Sequence, residues 1–136
     1  QKVDFSGAML THASFANVDA SKAYFDGAML EEASFLRANI AGSIFDSARM
    51  AKATLIAANA TGTVFRGSNL IEADLTRATL SHAEFLSADL TKANFAWSDS
   101  RGIDFRHALL LEANFQDADL RGSKFAEADL TGANFK

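Results

Sequence analysis

The chain has 136 residues, the size of one domain, and 49% of them are hydrophobic, enough to bury a core. It has no cysteine and no proline, which excludes disulfides, cysteine metal sites and a cysteine nucleophile. A net charge of −4 argues against a nucleic-acid binder, no run reaches the ~18 apolar residues of a membrane span, and no signal segment opens the sequence.

A cytoplasmic location is the default on these grounds. Targeting signals stay open, because residue 1 is Gln and not Met.

The chain is periodic from end to end. All 12 phenylalanines fall at multiples of five. Taken in blocks of 20, the first block carries Phe5, Leu10, Phe15 and Ala20 at these positions, and the second carries Phe25, Leu30, Phe35 and Ile40. The third has Phe45, Met50, Leu55 and Ala60; the fourth has Phe65, Leu70, Leu75 and Leu80. Phe85, Leu90, Phe95 and Ser100 follow, then Phe105, Leu110, Phe115 and Leu120, then Phe125, Leu130 and Phe135. Two residues before each of these centres stands a companion, which is Ala at nineteen of 27 positions.

On an α-helix, five residues turn the face by about 140°, so these centres would scatter around the cylinder. On one continuous strand they would alternate between faces. Companion and centre are two apart and share a face locally. The pattern therefore predicts a short extended piece with both residues inward, then a turn that resets the phase. Four such pieces close a square of 20 residues. The sorting of residue types supports that circuit. The first wall is Phe throughout and the second is aliphatic, and small centres (Ala20, Ala60, Ser100) recur only on the fourth. The predicted fold class is all-β, a solenoid of about seven coils stacked at about 4.8 Å and roughly 33 Å long. It forms one domain over residues 1–136, which could be a segment of a longer protein.

The motifs ADLTR at 73–77, ADLTK at 88–92, ANFAW at 93–97, ANFQD at 113–117, ADLRG at 118–122 and ADLTG at 128–132 resemble those of the pentapeptide-repeat family. The resemblance covers the chain and implies a right-handed quadrilateral parallel β-helix. It implies little about function. The best-understood members mimic DNA and bind gyrase, many of them with a C-terminal dimerisation segment or interrupting loops. Neither is seen here, since the phase never slips between Phe5 and Phe135.

The structural core centres singled out are Phe5, Phe25, Phe45, Phe65, Phe85, Phe105 and Phe125 with Leu70, Leu90 and Leu110. Asp or Asn precedes many centres, as at Asp74, Asp89, Asn94 and Asp119. Asp and Asn interchange there, which suits a side chain bonding the turn backbone and not acid–base catalysis. His12, His82 and His107 fall on different walls and cannot share a metal. No phosphate-binding loop is present, and the Asn59-Ala60-Thr61 glycosylation match puts a predicted core residue at its centre. The expectation is no catalytic residue, no cofactor and no metal.

Candidate interaction residues are Glu32, Glu72, Glu112, Tyr24, Trp97, Leu109 and Leu111. Glu32, Lys52, Glu72, Lys92 and Glu112 form one column of alternating sign, read as a solvated ladder that favours the stacking register. Trp97 follows Arg77 in another column, at a spacing that suits a cation–π contact. Outward residues on walls one and two each count six carboxylates against three cations, and walls three and four each net +1. Tyr24, Ile44 and Val64 stack on wall one, Leu36 and Ile56 on wall three, and Leu109 and Leu111 share wall two with Ile71. A DNA mimic needs denser negative charge, because a duplex carries one charge per ~1.7 Å. The reading is a non-enzymatic interaction or spacer module for a protein partner of unknown identity. No nucleic acid or membrane contact is expected, and end-to-end self-association is left open. The alternative is a DNA-mimicking inhibitor or protector of a type II topoisomerase.

Overall fold

The computed structural model describes residues 2–136. The backbone repeats one five-residue unit from Val3 onward: an isolated bridge residue, a centre, two turn residues and a companion. Each bridge residue pairs in parallel with the residue 20 positions on, from Asp4↔Tyr24 to Asn114↔Asn134, without a break. The coil therefore takes 20 residues, with four walls, and no wall is long enough to form a conventional strand.

The hydrogen bonds explain the period. Each centre N–H donates to the next coil, as in Phe65 N–H to the Glu84 carbonyl at 2.7 Å. Two residues later another N–H does the same, as in Gly67 to Leu86 at 3.0 Å. The bridge residue donates back to the previous coil, as in Glu84 to Thr63 at 3.0 Å. The companion N–H closes the turn on the centre it follows, as in Ala8 to the Phe5 carbonyl at 3.0 Å. This is the pattern of a turn whose third residue takes positive φ.

Every residue from 7 to 132 in steps of five has φ between 53° and 74°. All eight glycines of the sequence stand at these corners, and the other eighteen corner residues include no Val, Ile or Thr. Bulky β-branched side chains are the ones this backbone region excludes most strongly. The corner between walls four and one carries Gly42, Gly62, Gly102 and Gly122. At Gly102 the His82 ring lies where a side chain would start, with Nδ1 2.7 Å from the place of a Cβ.

The core is the axis. Wall-one phenylalanines stack from Phe5 to Phe125 with ring centroids 4.5–5.5 Å apart. Wall three adds Phe15 on Phe35, Phe95 on Phe115 and Phe115 on Phe135. The two piles meet edge to face, as in Phe25–Phe35 at 5.7 Å and 84°. Such geometry suits the ring quadrupole. Among the described residues Phe65 has no edge-on partner, since wall three holds Leu55 and Leu75 beside it. Phe25, Phe45, Phe65, Phe85, Phe105, Leu70, Leu90 and Leu110 are fully buried. Phe5 and Phe125 are only partly buried, because a coil covers them on one side alone.

Buried hydroxyls gather where wall-four centres are small. Thr63 and Ser43 both donate to the Ile40 carbonyl, the former at 2.8 Å, and the Ser98 and Ser100 hydroxyls bond at 2.6 Å. One turn departs from the rule. The Ile103 N–H does not close on Ser100; it donates to Ser123 Oγ at 3.1 Å, and that hydroxyl donates to the Ser100 carbonyl at 2.7 Å. Ile103 is the bulkiest buried companion, and a serine from the next coil completes the turn it opens.

Candidate interaction surfaces

Straight ladders turn the outward residues into columns. The residues flanking a centre point away from the axis on the wall, and the corner residue projects from the edge. The bridge-position Asp and Asn side chains serve the turn, as their interchange suggests. Asp74 Oδ1 accepts from Thr76 N–H at 3.0 Å, and Asn94 Oδ1 from Ala96 N–H at 3.0 Å. The same residues also form amide ladders, with Asn134 donating to Asn114 at 3.0 Å and Asn114 to Asn94 at 3.1 Å.

The candidate interaction residues do not converge on one site. Glu32, Glu72 and Glu112 are exposed at the corner between walls two and three. Trp97 is 48% exposed at the corner between walls three and four, with the Arg77 guanidinium 5.2 Å from its ring centre. Tyr24 lies half-buried on wall one, its hydroxyl accepting from Lys2 Nζ at 3.2 Å. Leu109 and Leu111 share wall two, with Leu109 44% exposed and Leu111 more covered. Met9, 80% exposed, is the most open large apolar residue, and its place on wall two was legible from its position before Leu10.

The column of alternating sign stands in register, but among the described residues no ion pair links its members. Glu32 instead faces His12 at 3.7 Å. Exposed charges one rung apart gain little over hydration and lose side-chain entropy when held.

Ion pairs that residue-by-residue reading overlooked lie elsewhere. Arg101, Arg106 and Arg121 each fold back onto the Asp two residues earlier in two parallel bonds of 2.6–2.9 Å. The signal was the triplet Asp-x-Arg, since residues flanking a centre share an outward face. These bonds hold the carboxyls of Asp99, Asp104 and Asp119 below the usual carboxylate range, that of Asp119 at about 2. The same partners raise the arginines. On walls one and two Arg66 Nε meets Glu84 at 2.8 Å and Arg49 Nε meets Glu31 at 2.8 Å. Three carboxylates of these walls, Glu31, Glu84 and Asp104, are thus covered by bound arginines.

A shallow cavity of about 540 Å³ opens at the corner between walls four and one, over Gly102 and Gly122 and beside His82 and Lys124. Among the described residues no group of three or more His, Asp or Glu is placed to hold a metal ion, and no helix is long and apolar enough to cross a membrane.

Comparison with known proteins agrees with this geometry. The family model for pentapeptide repeats matches in eight copies, over residues 1–35, 33–71, 48–85, 68–99 and 101–136. No curated protein matches. A pentapeptide repeat protein from the Arabidopsis thaliana thylakoid lumen is similar at 26% identity, over 76% of this chain and 68% of that one, with a TM-score of 0.59. A trypsin-treated form of QnrB1, a plasmid-mediated fluoroquinolone resistance protein, shares the fold at 22% identity, over 99% of this chain and 72% of that one, with a TM-score of 0.55. Both are right-handed quadrilateral β-helices. With the repeat matched from the first residue to the last and the same square coil in its solved relatives, the chain belongs to the pentapeptide-repeat family.

Proposed function

We propose that this chain is a non-enzymatic interaction module, a rigid rod that presents fixed columns of side chains to a protein partner in the cytoplasm. The observation that carries this reading is the unbroken bridge ladder from Asp4 to Asn134. Inward positions repeat, and each outward position is held in a column whose chemistry changes from coil to coil. Such preorganisation lowers the ordering cost of binding. Every bridge-position carboxyl that could suggest acid–base chemistry has a turn or arginine partner of the kinds described above. Photo-crosslinkers placed at Tyr24, Trp97 and Leu109 in cells of the source organism test it. A discrete adduct from one wall or two adjacent walls is expected; no adduct from any position sinks the reading.

The acidic excess of walls one and two favours a second reading, a DNA-mimicking topoisomerase inhibitor or protector, as the family resemblance implies. The Arg66–Glu84 and Arg49–Glu31 pairs speak against it, because they dilute the field such mimicry needs. Inhibition of gyrase supercoiling at low stoichiometry would make this the better account.

A further inference from the structure

We propose that two copies of this chain pair side by side through wall three, rods parallel, about a two-fold axis that runs along the rods. Wall three is the charge-poor face. One outward column holds Ser34, Thr54 and Asn94, the other Leu36, Ile56 and Ala96, all partly or fully covered, and before the last residue Asp74 is the charge between its corners. Depletion of charge is what the centre of an interface shows.

The corners on either side carry the selectivity. One holds Glu32, Lys52, Glu72, Lys92 and Glu112; the other holds Arg37, Ala57, Arg77, Trp97 and Asp117. All ten are exposed. Among the described residues Glu72, Arg77, Arg37 and Lys92 take part in no ion pair, whereas Arg49, Arg66, Arg101, Arg106 and Arg121 on the other walls are each paired on their own chain.

A two-fold axis along the rods lays one corner of the first copy over the other corner of the second at the same coil. Glu32 then faces Arg37 of the second copy, Glu72 faces Arg77, and Lys92 faces the Trp97 ring. Lys52 meets Ala57, and only Glu112 against Asp117 is repulsive. Facing sheets lie about 10 Å apart, within reach of a glutamate and an arginine extended toward each other. Antiparallel rods would lay each corner over itself, with Glu72 on Glu72, Arg77 on Arg77 and Lys52 on Lys92. Like charges oppose in that register. A slip of one coil relieves this by setting Glu72 over Lys52 but leaves Arg77 over Ala57, so a double charge exchange that fails to restore pairing would mark the antiparallel arrangement. The complement to each corner is on the same chain, which makes a second copy the fitting occupant.

The wall is about 33 Å long and roughly 12 Å wide, on the order of 400 Å² per copy, half of the about 800 Å² of a standard interface. The pairing is therefore weak and reversible, and it leaves walls one and two free for another partner.

Sedimentation equilibrium of the whole chain to about 1 mM, in low and high salt, tests it. The expected result is a monomer–dimer equilibrium that stops at the dimer and weakens with salt. Glu72→Arg and Arg77→Glu should each weaken it about tenfold or more, and the double exchange should restore it to within about threefold. Asp117→Lys should strengthen it. A monomer throughout overturns the proposal. So does an association that the charge exchanges leave unchanged, or one that grows without limit, which would point to contact through the rod ends.

Discussion

At the scale of single residues, the corner position carries the strain of this fold. L-residues in the left-handed region cost roughly 1–2 kcal/mol each, and glycine escapes that cost at the expense of unfolded-state entropy. Ala57, with φ of 55°, has a side chain with nothing polar to offer the turn. Ala57→Gly is therefore expected to raise stability by about 0.5–1 kcal/mol, and Ala57→Val to lower it by about 2 kcal/mol or more. Urea unfolding midpoints for the pair decide this, and a Val variant as stable as the parent would contradict it. The confinement of all eight glycines to residues 7, 27, 42, 62, 67, 102, 122 and 132 was open to reading in the sequence. It marks the corner as clearly as phenylalanine marks the axis. The cation–π contact of Arg77 with Trp97 could also be expected from sequence, because one column places both.

At the scale of the turn and the coil, Ser123 is the exception worth testing. Its hydroxyl serves the Ile103 N–H and the Ser100 carbonyl together, and the Ile103 N–H has no backbone partner in its place. Ser123→Ala should cost about 1–3 kcal/mol, the penalty for a buried donor left unpaired. Amide exchange at Ile103 should also quicken. Ser68→Ala is the control. Its hydroxyl donates to Phe65 O at 2.6 Å, but the Ser68 N–H closes the same turn at 3.2 Å, so no buried donor is orphaned. Equal losses from the two variants would show that the bridge has no special part. This element was not legible in advance, since Ser123 reads as one more small companion. Its role depends on Ile103 standing one coil below.

At the scale of the whole rod, stability should respond to acid in a narrow window. Asp99, Asp104 and Asp119 are depressed chiefly by side-chain hydrogen bonds from Arg101, Arg106 and Arg121. Below its ordinary value of 3.8 the unfolded chain takes up protons that folded Asp119, at about 2, does not. Their contribution is thus fully present above about pH 4 and is lost as pH falls toward 2. These carboxylates are solvent-facing, so the loss is modest and shrinks in salt. Melting temperatures measured from pH 6 to pH 2 check it. Arg101→Gln with Arg121→Gln should flatten the lower part of the curve, and an unchanged slope would dismiss these pairs as its source.

The square coil, its four walls and its aromatic axis were set by the order of residues alone. Nearly every fifth side chain is large and must be buried, most companions must be small, and one backbone path satisfies both with its hydrogen bonds closed between coils. Which charges pair was decided only in three dimensions. The alternating column of Glu32 to Glu112, read as a solvated ladder, forms no ion pair among its own members in the described residues, while Arg101, Arg106 and Arg121 fold back onto their own walls. Position on a column fixes proximity to one rung spacing, but a long flexible side chain chooses among partners and water by differences of a fraction of a kcal/mol. Those differences depend on what the neighbouring coil and the same wall present, and no periodicity in the sequence encodes them.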